Sequence, residues 1–256
     1  MMIDLSQVSG LPIKLNKDCT LTFGRGLPVV EPAVRTGKQM KPVLLAANAV
    51  ADKEILYYMY RDICLPEQRE LFTKYRVRYD ITILKPGKIG DEFIKTFGHY
   101  HPKKPGTSVT YGELYQVLYG TAGFLLQEKG QKPQEIIDVI FIEADPGAVI
   151  TIPPGYGHIT VNIGSEPLVV ANLVCPDFKS DYVTYVKFGG GAVYISSTVE
   201  GIEFINNNNY LSIPQLRHSK VFVKEQGIYQ RFFTQPQEMR FLVEPEWYEA
   251  KALLGS

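Results

Sequence analysis

Cysteine is scarce in this chain of 256 residues, which contains only three. Cys19, Cys64 and Cys175 are odd in number and widely spaced, which excludes the disulfide framework of a small secreted domain. The amino terminus lacks the basic stretch and apolar run of a signal peptide, and no apolar segment approaches the roughly 20 residues of a membrane span. We therefore expect a cytoplasmic protein with no membrane partner.

An excess of charge of either sign is also missing. The 27 basic and 27 acidic residues cancel, so the chain as a whole has no electrostatic attraction for nucleic acid or for an anionic membrane. A charged ligand must then be bound by local side chains. We expect a small-molecule ligand and no nucleic-acid partner.

The chain does contain a series of short β-type segments. Apolar and polar residues alternate over 75–84, and turn signals rich in glycine and proline follow at short intervals. This rhythm is typical of an all-β sandwich or barrel. The further strands that we expect here are residues 113–119, 136–142, 149–152 and 168–174.

The two ends of the chain are less regular. Glycine and proline near the start of 1–75 predict an extended arm packed on the barrel, and Pro66 predicts a short helical start. The β-rich core is placed at 76–182. Residues 183–256 are expected to belong to the same domain, with hairpins near 189–191 and 206–209 and a closing helix near 245–254.

Three of the four histidines lie in two short segments. His99 and His101 are two residues apart, and such residues point to the same side of a β-strand, so both imidazoles can reach one ion. His158 as a third imidazole and Glu113 as a carboxylate would complete a set of four ligands. Glu92 is the rival carboxylate, and a metal-free barrel with buried histidines is the alternative to the whole site.

These segments resemble the two cupin motifs. His99-x-His101 with Glu113-x6-Gly120 is similar to the first, and Gly147-x5-Pro153-x-Gly155-x2-His158-x3-Asn162 is similar to the second. The spacer of eleven residues between His101 and Glu113 is longer than is usual in cupins, and its composition indicates an enlarged hairpin loop. An insertion in a turn leaves the flanking strands in place, so Glu113 is retained as the fourth ligand.

The stretch 83–101, with Thr96-x-Gly98-His99-x-His101, resembles more narrowly the cupin-type glucose-6-phosphate isomerases of archaea and some bacteria. Similarity continues through 113–115, 123–127 and 160–167, and covers about 76–182 in all. The resemblance implies a cupin (double-stranded β-helix) barrel that interconverts glucose 6-phosphate and fructose 6-phosphate. It also implies one divalent metal ion per subunit, with Fe(II) favoured and Mn(II), Ni(II) or Zn(II) possible. Because cupins commonly pair their sheets, we expect a homodimer.

The resemblance assigns roles to particular side chains. The implied metal ligands are His99, His101, Glu113 and His158; the implied phosphate and substrate residues are Thr82, Thr96, Gly98 and Tyr182; and the candidate catalytic residues are Glu113 and Tyr115. Two routes fit an aldose–ketose interconversion: a carboxylate base, with Glu113 as the candidate, removes the C2 proton, or hydride shifts directly with assistance from the metal. The sequence leaves both routes open.

At two positions that the resemblance places near the sugar phosphate, the residues differ from those of the family. Cys175 and Ser180 stand where the family has tyrosine and histidine. Because the same ligand set serves cupin dioxygenases, a cupin dioxygenase or other cupin sugar enzyme is kept as an alternative, and so is a non-catalytic sugar-phosphate-binding protein. Arg76 and Arg78 share a face with Thr82 on the predicted strand, but they can equally solvate an outer face and are not counted in the site. His218, beside charged residues, is expected to be a surface histidine.

Overall fold

A computed structural model describes residues 2–222 and 226–248. The first part of the chain forms short strands and helices. In chain order these are β1 (Ile3–Asp4), α1 (Ser6–Ser9), β2 (Ile13–Leu15), β3 (Leu21–Phe23), β4 (Ala33–Thr36), α2 (Gly37–Met40), β5 (Ile55–Tyr60) and α3 (Arg69–Tyr75). Short 3-10 turns cover Lys41–Val43, Ala47–Ala49 and Pro66–Gln68. The predicted helical start at Pro66 is thus present, and it leads directly into α3.

Strands dominate the middle of the chain. They are β6 (Arg78–Leu84), β7 (Lys88–Ile89), β8 (Glu92–Phe93), β9 (Glu113–Tyr119), β10 (Ala122–Lys129), β11 (Ile136–Ala144), β12 (Val149–Ile152), β13 (Tyr156–Asn162) and β14 (Leu168–Val174). The strand predicted from residue 75 begins at Arg78 instead, because α3 continues to Tyr75 and Arg76 adopts a left-handed conformation with φ of 53°. The other predicted strands lie within observed ones.

The last part contains α4 (Val183–Phe188), β15 (Val193–Thr198), β16 (Gly201–Asn206), β17 (Arg217–Val221) and α5 (Ile228–Thr234), followed by 3-10 turns at Pro236–Leu242 and Pro245–Trp247. Both predicted hairpins are wrong. Residues 189–191 join a helix to a strand, and 206–209 follow β16, whereas the hairpin turn lies at 199–200. Of the predicted closing helix, the described part is the turn Pro245–Trp247, and 249–254 lie outside the described residues.

Two large sheets enclose the main core. One has the order β12-β9-β14-β6-β5-β4 and the other β13-β10-β11-β17. Phe124 and Phe141 lie in the core between them, and both are fully buried. This is the cupin barrel, so the predicted all-β fold class is confirmed. A third sheet has the order β16-β15-β8-β7, and the chain passes from β8 into the loop that carries His99 and His101.

A second apolar cluster covers the outer face of the six-stranded sheet. Tyr79, Ile81 and Ile83 point into it from β6, where they meet apolar residues of the amino-terminal sheet β1-β2-β3 and of α5. Because side chains alternate along a strand, Arg78, Asp80 and Thr82 then point to the opposite, inner face. The division of the chain into 1–75, 76–182 and 183–256 stays a prediction. Within the described ranges, every helix is too short or too polar to cross a bilayer.

Candidate functional site

Backbone pairing brings the two histidine segments together. His99 and His158 form an isolated antiparallel bridge, with His99 N–H donating to the His158 carbonyl at 3.3 Å and His158 N–H donating to the His99 carbonyl at 3.1 Å. His158 lies on β13, and Glu113 is the first residue of β9. The extra residues between His101 and Glu113 close on themselves, since Tyr111 N–H donates to the Pro102 carbonyl at 3.2 Å. The insertion therefore returns the chain to the strand that carries Glu113.

The ligand atoms of His99, His101, Glu113 and His158 all lie within 4.8 Å of one another. The Nε2 atoms of His99 and His101 are 3.1 Å apart, and Glu113 Oε2 lies 3.3 Å from His101 Nε2 and 3.1 Å from His158 Nε2. The other ring nitrogen of His101, Nδ1, lies 3.1 Å from the Tyr111 carbonyl. Donation of an Nδ1 hydrogen to that carbonyl would leave the Nε2 lone pair free for a metal ion.

The protonation of the group suits a cation. Burial lowers the pKa of His99 and of His158, which keeps both imidazoles neutral. Burial also raises the pKa of Glu113, but the adjacent His101 and His158 rings outweigh that effect and hold the pKa well below its usual range. Glu113 Oε2 is buried, and within the described residues it has no hydrogen-bond partner besides those two ring nitrogens. Three imidazoles and a carboxylate oxygen that converge in a buried place fit a divalent metal ion.

Glu92, the rival carboxylate, does not belong to this group. Its side chain is buried against Lys95, with 2.7 Å between Oε1 and Nζ, and its Oε2 accepts a hydrogen bond from Leu45 N–H at 2.8 Å. Lys95 Nζ also donates to the Val43 carbonyl at 2.6 Å. Glu92 therefore anchors the segment around residue 44 to β8, and its charge is already balanced.

A single cavity borders on most of the sequence-predicted residues. It is lined by His99, His101, Glu113, Tyr115, Thr82, Thr96, Gly98 and Tyr182, and also by Cys175 and Ser180. Tyr115 is buried, and burial together with the charge of Glu113 raises the pKa of its phenol well above the usual value, so it is neutral. Its hydroxyl oxygen lies 3.3 Å from His158 Nε2.

Thr96 and Gly98 form one wall of the cavity. Thr96 Oγ1 accepts a hydrogen bond from Thr160 N–H at 2.9 Å, which leaves the hydroxyl proton free for a ligand. Gly98 has φ of 81°, and a Cβ atom there would stand 2.7 Å from Ile159 Cγ1 and 2.7 Å from Tyr185 Cε1. Both the backbone conformation and the packing therefore require glycine immediately before His99.

The cavity is also lined by residues that sequence reasoning missed, among them Arg35, Tyr57 and Arg61, and by Arg78, which it left out. Arg35, Tyr57 and Arg61 come from β4, β5 and the residue after β5, and Arg78 lies on the inner face of β6. The signal for Arg78 was the polar stripe 78, 80, 82 on a strand whose other residues are apolar. No local signal marks Arg35 or Arg61, because only the pairing of β4, β5 and β6 brings them to the cavity.

Asp80 holds two of these arginines. Its carboxylate is fully buried and accepts from Arg61 Nη1 at 2.8 Å and from Arg78 Nε and Nη2, each at 2.8 Å at the nearest oxygen. Arg76, in contrast, points outward and bonds Asp177. His218 lies on β17, where its Nε2 is 2.8 Å from Glu143, and it does not line the cavity. Asp80 thus fixes the guanidinium groups of Arg61 and Arg78 and neutralises part of their positive charge.

The fold and the cavity define a cupin with a candidate metal centre of three histidines and one glutamate. The sequence model described as "Glucose-6-phosphate isomerase (GPI)" matches residues 34–212, so the chain belongs to the glucose-6-phosphate isomerase family. This confirms the family resemblance found in the motifs.

Curated relatives agree in name. The chain is 34% identical over 119 residues to the glucose-6-phosphate isomerase of Thermococcus litoralis, covering 46% of this chain and 57% of that protein. It is 34% identical over 136 residues to that of Pyrococcus abyssi, covering 53% of this chain and 66% of that protein. The match thus spans less than two thirds of these relatives. A solved oxalate decarboxylase from Lactobacillus farciminis is 18% identical with a TM-score of 0.36, covering 59% of this chain and 32% of that one.

Proposed function

We propose that this chain is a metal-dependent aldose–ketose isomerase that interconverts glucose 6-phosphate and fructose 6-phosphate. The observation that carries the proposal is one cavity that is lined both by His99, His101 and Glu113 of the candidate metal group and by the residues Thr82, Thr96 and Gly98. Metal ligands and phosphate donors in one cavity match the two ends of a sugar phosphate. Membership of the family supports the same substrate.

One divalent metal ion per subunit would be held by His99, His101, Glu113 and His158. We propose Fe(II), with Mn(II), Ni(II) or Zn(II) as substitutes, because imidazole and carboxylate ligands suit all four. When bound, such an ion supplies Lewis acidity that polarises a carbonyl oxygen.

The remaining chemistry belongs to side chains. Thr82, Thr96, Gly98 and Tyr182 bind the phosphate and hold the sugar. The lowered pKa of Glu113 keeps it in the ionised form, which can accept the C2 proton and return it to C1 while the hydroxyl proton passes from O2 to O1. Tyr115 keeps its proton and can donate a hydrogen bond to a substrate oxygen. Transfer of deuterium from C2 to C1 without exchange with solvent would instead indicate the direct hydride route.

The test is a coupled assay on fructose 6-phosphate, with and without chelator and with single metals added back. We expect His99→Ala to lose metal and activity together, because it removes one ligand of the group. His218→Ala is the matched control, since that histidine lies outside the group. Retention of tightly bound stoichiometric metal by His99→Ala would show that the ligands are misassigned, and oxygen uptake without isomerisation would favour a dioxygenase.

We also propose a homodimer located in the cytoplasm. The three cysteines are all free and buried, as suits a reducing compartment. The amino-terminal segment packs on its own chain through Leu5, Leu11 and Ile13, so the proposed dimer would form through other surfaces. Light scattering at micromolar concentration tests the oligomeric state, and a monomer mass would rule the dimer out.

A further inference from the structure

Arg35 reaches the cavity from outside the part of the chain that carries the motifs. It lies on β4, the edge strand of the six-stranded sheet, directly opposite Tyr57 on β5. Tyr57 in turn pairs with Leu84 at the end of β6. The edge strand thereby adds Arg35 to the same cavity as Thr96 and Gly98.

Arg35 differs from the other two arginines of the cavity in its charge balance. Arg61 and Arg78 both bond to the buried carboxylate of Asp80. Within 2–222 and 226–248, no carboxylate forms an ion pair with Arg35, and its Nε atom is buried without a hydrogen-bond partner. Arg35 as a whole is partly exposed, but a buried donor without an acceptor is unfavourable, so this position is suited to an anionic ligand that accepts from it.

The guanidinium group of Arg35 is also held in place before any ligand arrives. Its Cζ atom lies 5.4 Å from the centre of the Phe97 ring and 5.9 Å from that of Tyr182. The Tyr57 hydroxyl, which lies beside Arg35, accepts a hydrogen bond from Phe97 N–H at 3.2 Å. Contacts with aromatic faces leave the N–H edge of a guanidinium available, and that planar edge matches two oxygens of a phosphate.

We infer that Arg35 binds the phosphate of the substrate and makes the site selective for phosphorylated over free sugars. The inference rests on the proposed function. Thr82 and Thr96 supply neutral hydroxyl donors, and the Gly98 N–H makes no hydrogen bond within the described residues. Arg35 adds the full positive charge that these donors lack. Selectivity for the dianion then depends on an edge strand that the cupin motifs do not include.

The test compares Arg35→Gln and Arg35→Lys with Arg25→Gln, a matched control at an exposed arginine. Calorimetry measures the binding of 1,5-anhydroglucitol 6-phosphate and of the free 1,5-anhydroglucitol, which differ only in the phosphate and cannot be isomerised. We expect Arg35→Gln to weaken binding of the phosphorylated ligand by about ten- to a hundredfold, the range for a charge-assisted hydrogen bond. Binding of the free ligand and bound metal should be unchanged. Arg35→Lys should recover part of the loss.

Kinetics separate this inference from the proposed function. In an active enzyme, Arg35→Gln should raise KM for fructose 6-phosphate by a similar factor with kcat changed much less. If Arg35→Gln binds the phosphorylated ligand as well as Arg25→Gln does, or loses both ligands equally, the inference is wrong while isomerase activity still stands. If the wild-type protein binds the phosphorylated ligand through Arg35 but turns over no sugar phosphate, the inference is supported and the isomerase proposal fails.

Discussion

Replacement of Gly98 by alanine tests how closely packing fixes the residue before His99. Gly98 and Gly106 have almost the same φ, 81° and 80°, but a Cβ atom at Gly98 would stand 2.7 Å from Ile159 and Tyr185, whereas one at Gly106 would meet nothing within 4 Å. The left-handed conformation costs alanine about 1–2 kcal/mol at either position. Overpacking adds about 1–3 kcal/mol at Gly98 alone.

The expected losses in free energy of unfolding are thus about 2–5 kcal/mol for Gly98→Ala and about 1–2 kcal/mol for Gly106→Ala. Urea denaturation of the metal-free protein measures both, and any effect of alanine on the unfolded chain cancels in the difference. Gly98→Ala should also weaken metal binding, because a displaced backbone moves His99 away from His158. Equal losses of stability for the two variants would refute the reasoning, since they would mean that Ile159 and Tyr185 move aside without a cost in free energy.

Three further outcomes follow from buried charges. Glu113→Gln should lower metal affinity by more than about tenfold, because loss of a residue that merely orients a ligand already lowers affinity by that factor. Atomic absorption measures the metal content, and undiminished metal would contradict the assignment of Glu113. Glu92→Gln should retain metal but lose about 3–5 kcal/mol of stability in urea denaturation, since it leaves Lys95 buried and unpaired. Asp80→Asn should lower the free energy of unfolding by about 2 kcal/mol. This is less than the loss for a fully buried ion pair, because the two arginine side chains that bond Asp80 are 43% and 30% exposed. Asp52→Asn, in an exposed pair, is its control and should cost under about 1 kcal/mol; equal losses at the two aspartates would contradict the buried network.

Local patterns predicted the strands of the barrel well where a strand is bounded by clear turns. Residues 113–119, 149–152 and 168–174 coincide with β9, β12 and β14. The glycine run at 189–191 and the asparagine run at 206–209 were interpreted as hairpin turns, yet neither joins two paired strands. Asn207 Nδ2 donates to the carbonyls of Phe188 and Gly191, so the two runs meet each other. Turn-forming residues show where the chain bends, but not which elements the bend connects.

The convergence of the candidate metal ligands could be predicted because the spacing of the two histidines on one extended segment follows from strand geometry. His99 and His101 share a face of an extended segment whatever the rest of the fold does, and the second motif supplied His158. The choice between Glu113 and Glu92 needed the structure, which pairs Glu92 with Lys95. A carboxylate becomes a candidate ligand only when its charge is not already balanced.

The sequence by itself determined the all-β class, the four candidate metal ligands and the resemblance to sugar-phosphate isomerases. Tertiary structure alone decided which face of β6 is the inside. Both faces of that strand are covered, so the alternation of Arg78, Asp80 and Thr82 with apolar residues did not distinguish a cavity wall from a solvated surface. The tertiary structure also brought Arg35 to the cavity. An edge strand pairs with its neighbour only through long-range hydrogen bonds, which no local sequence pattern encodes.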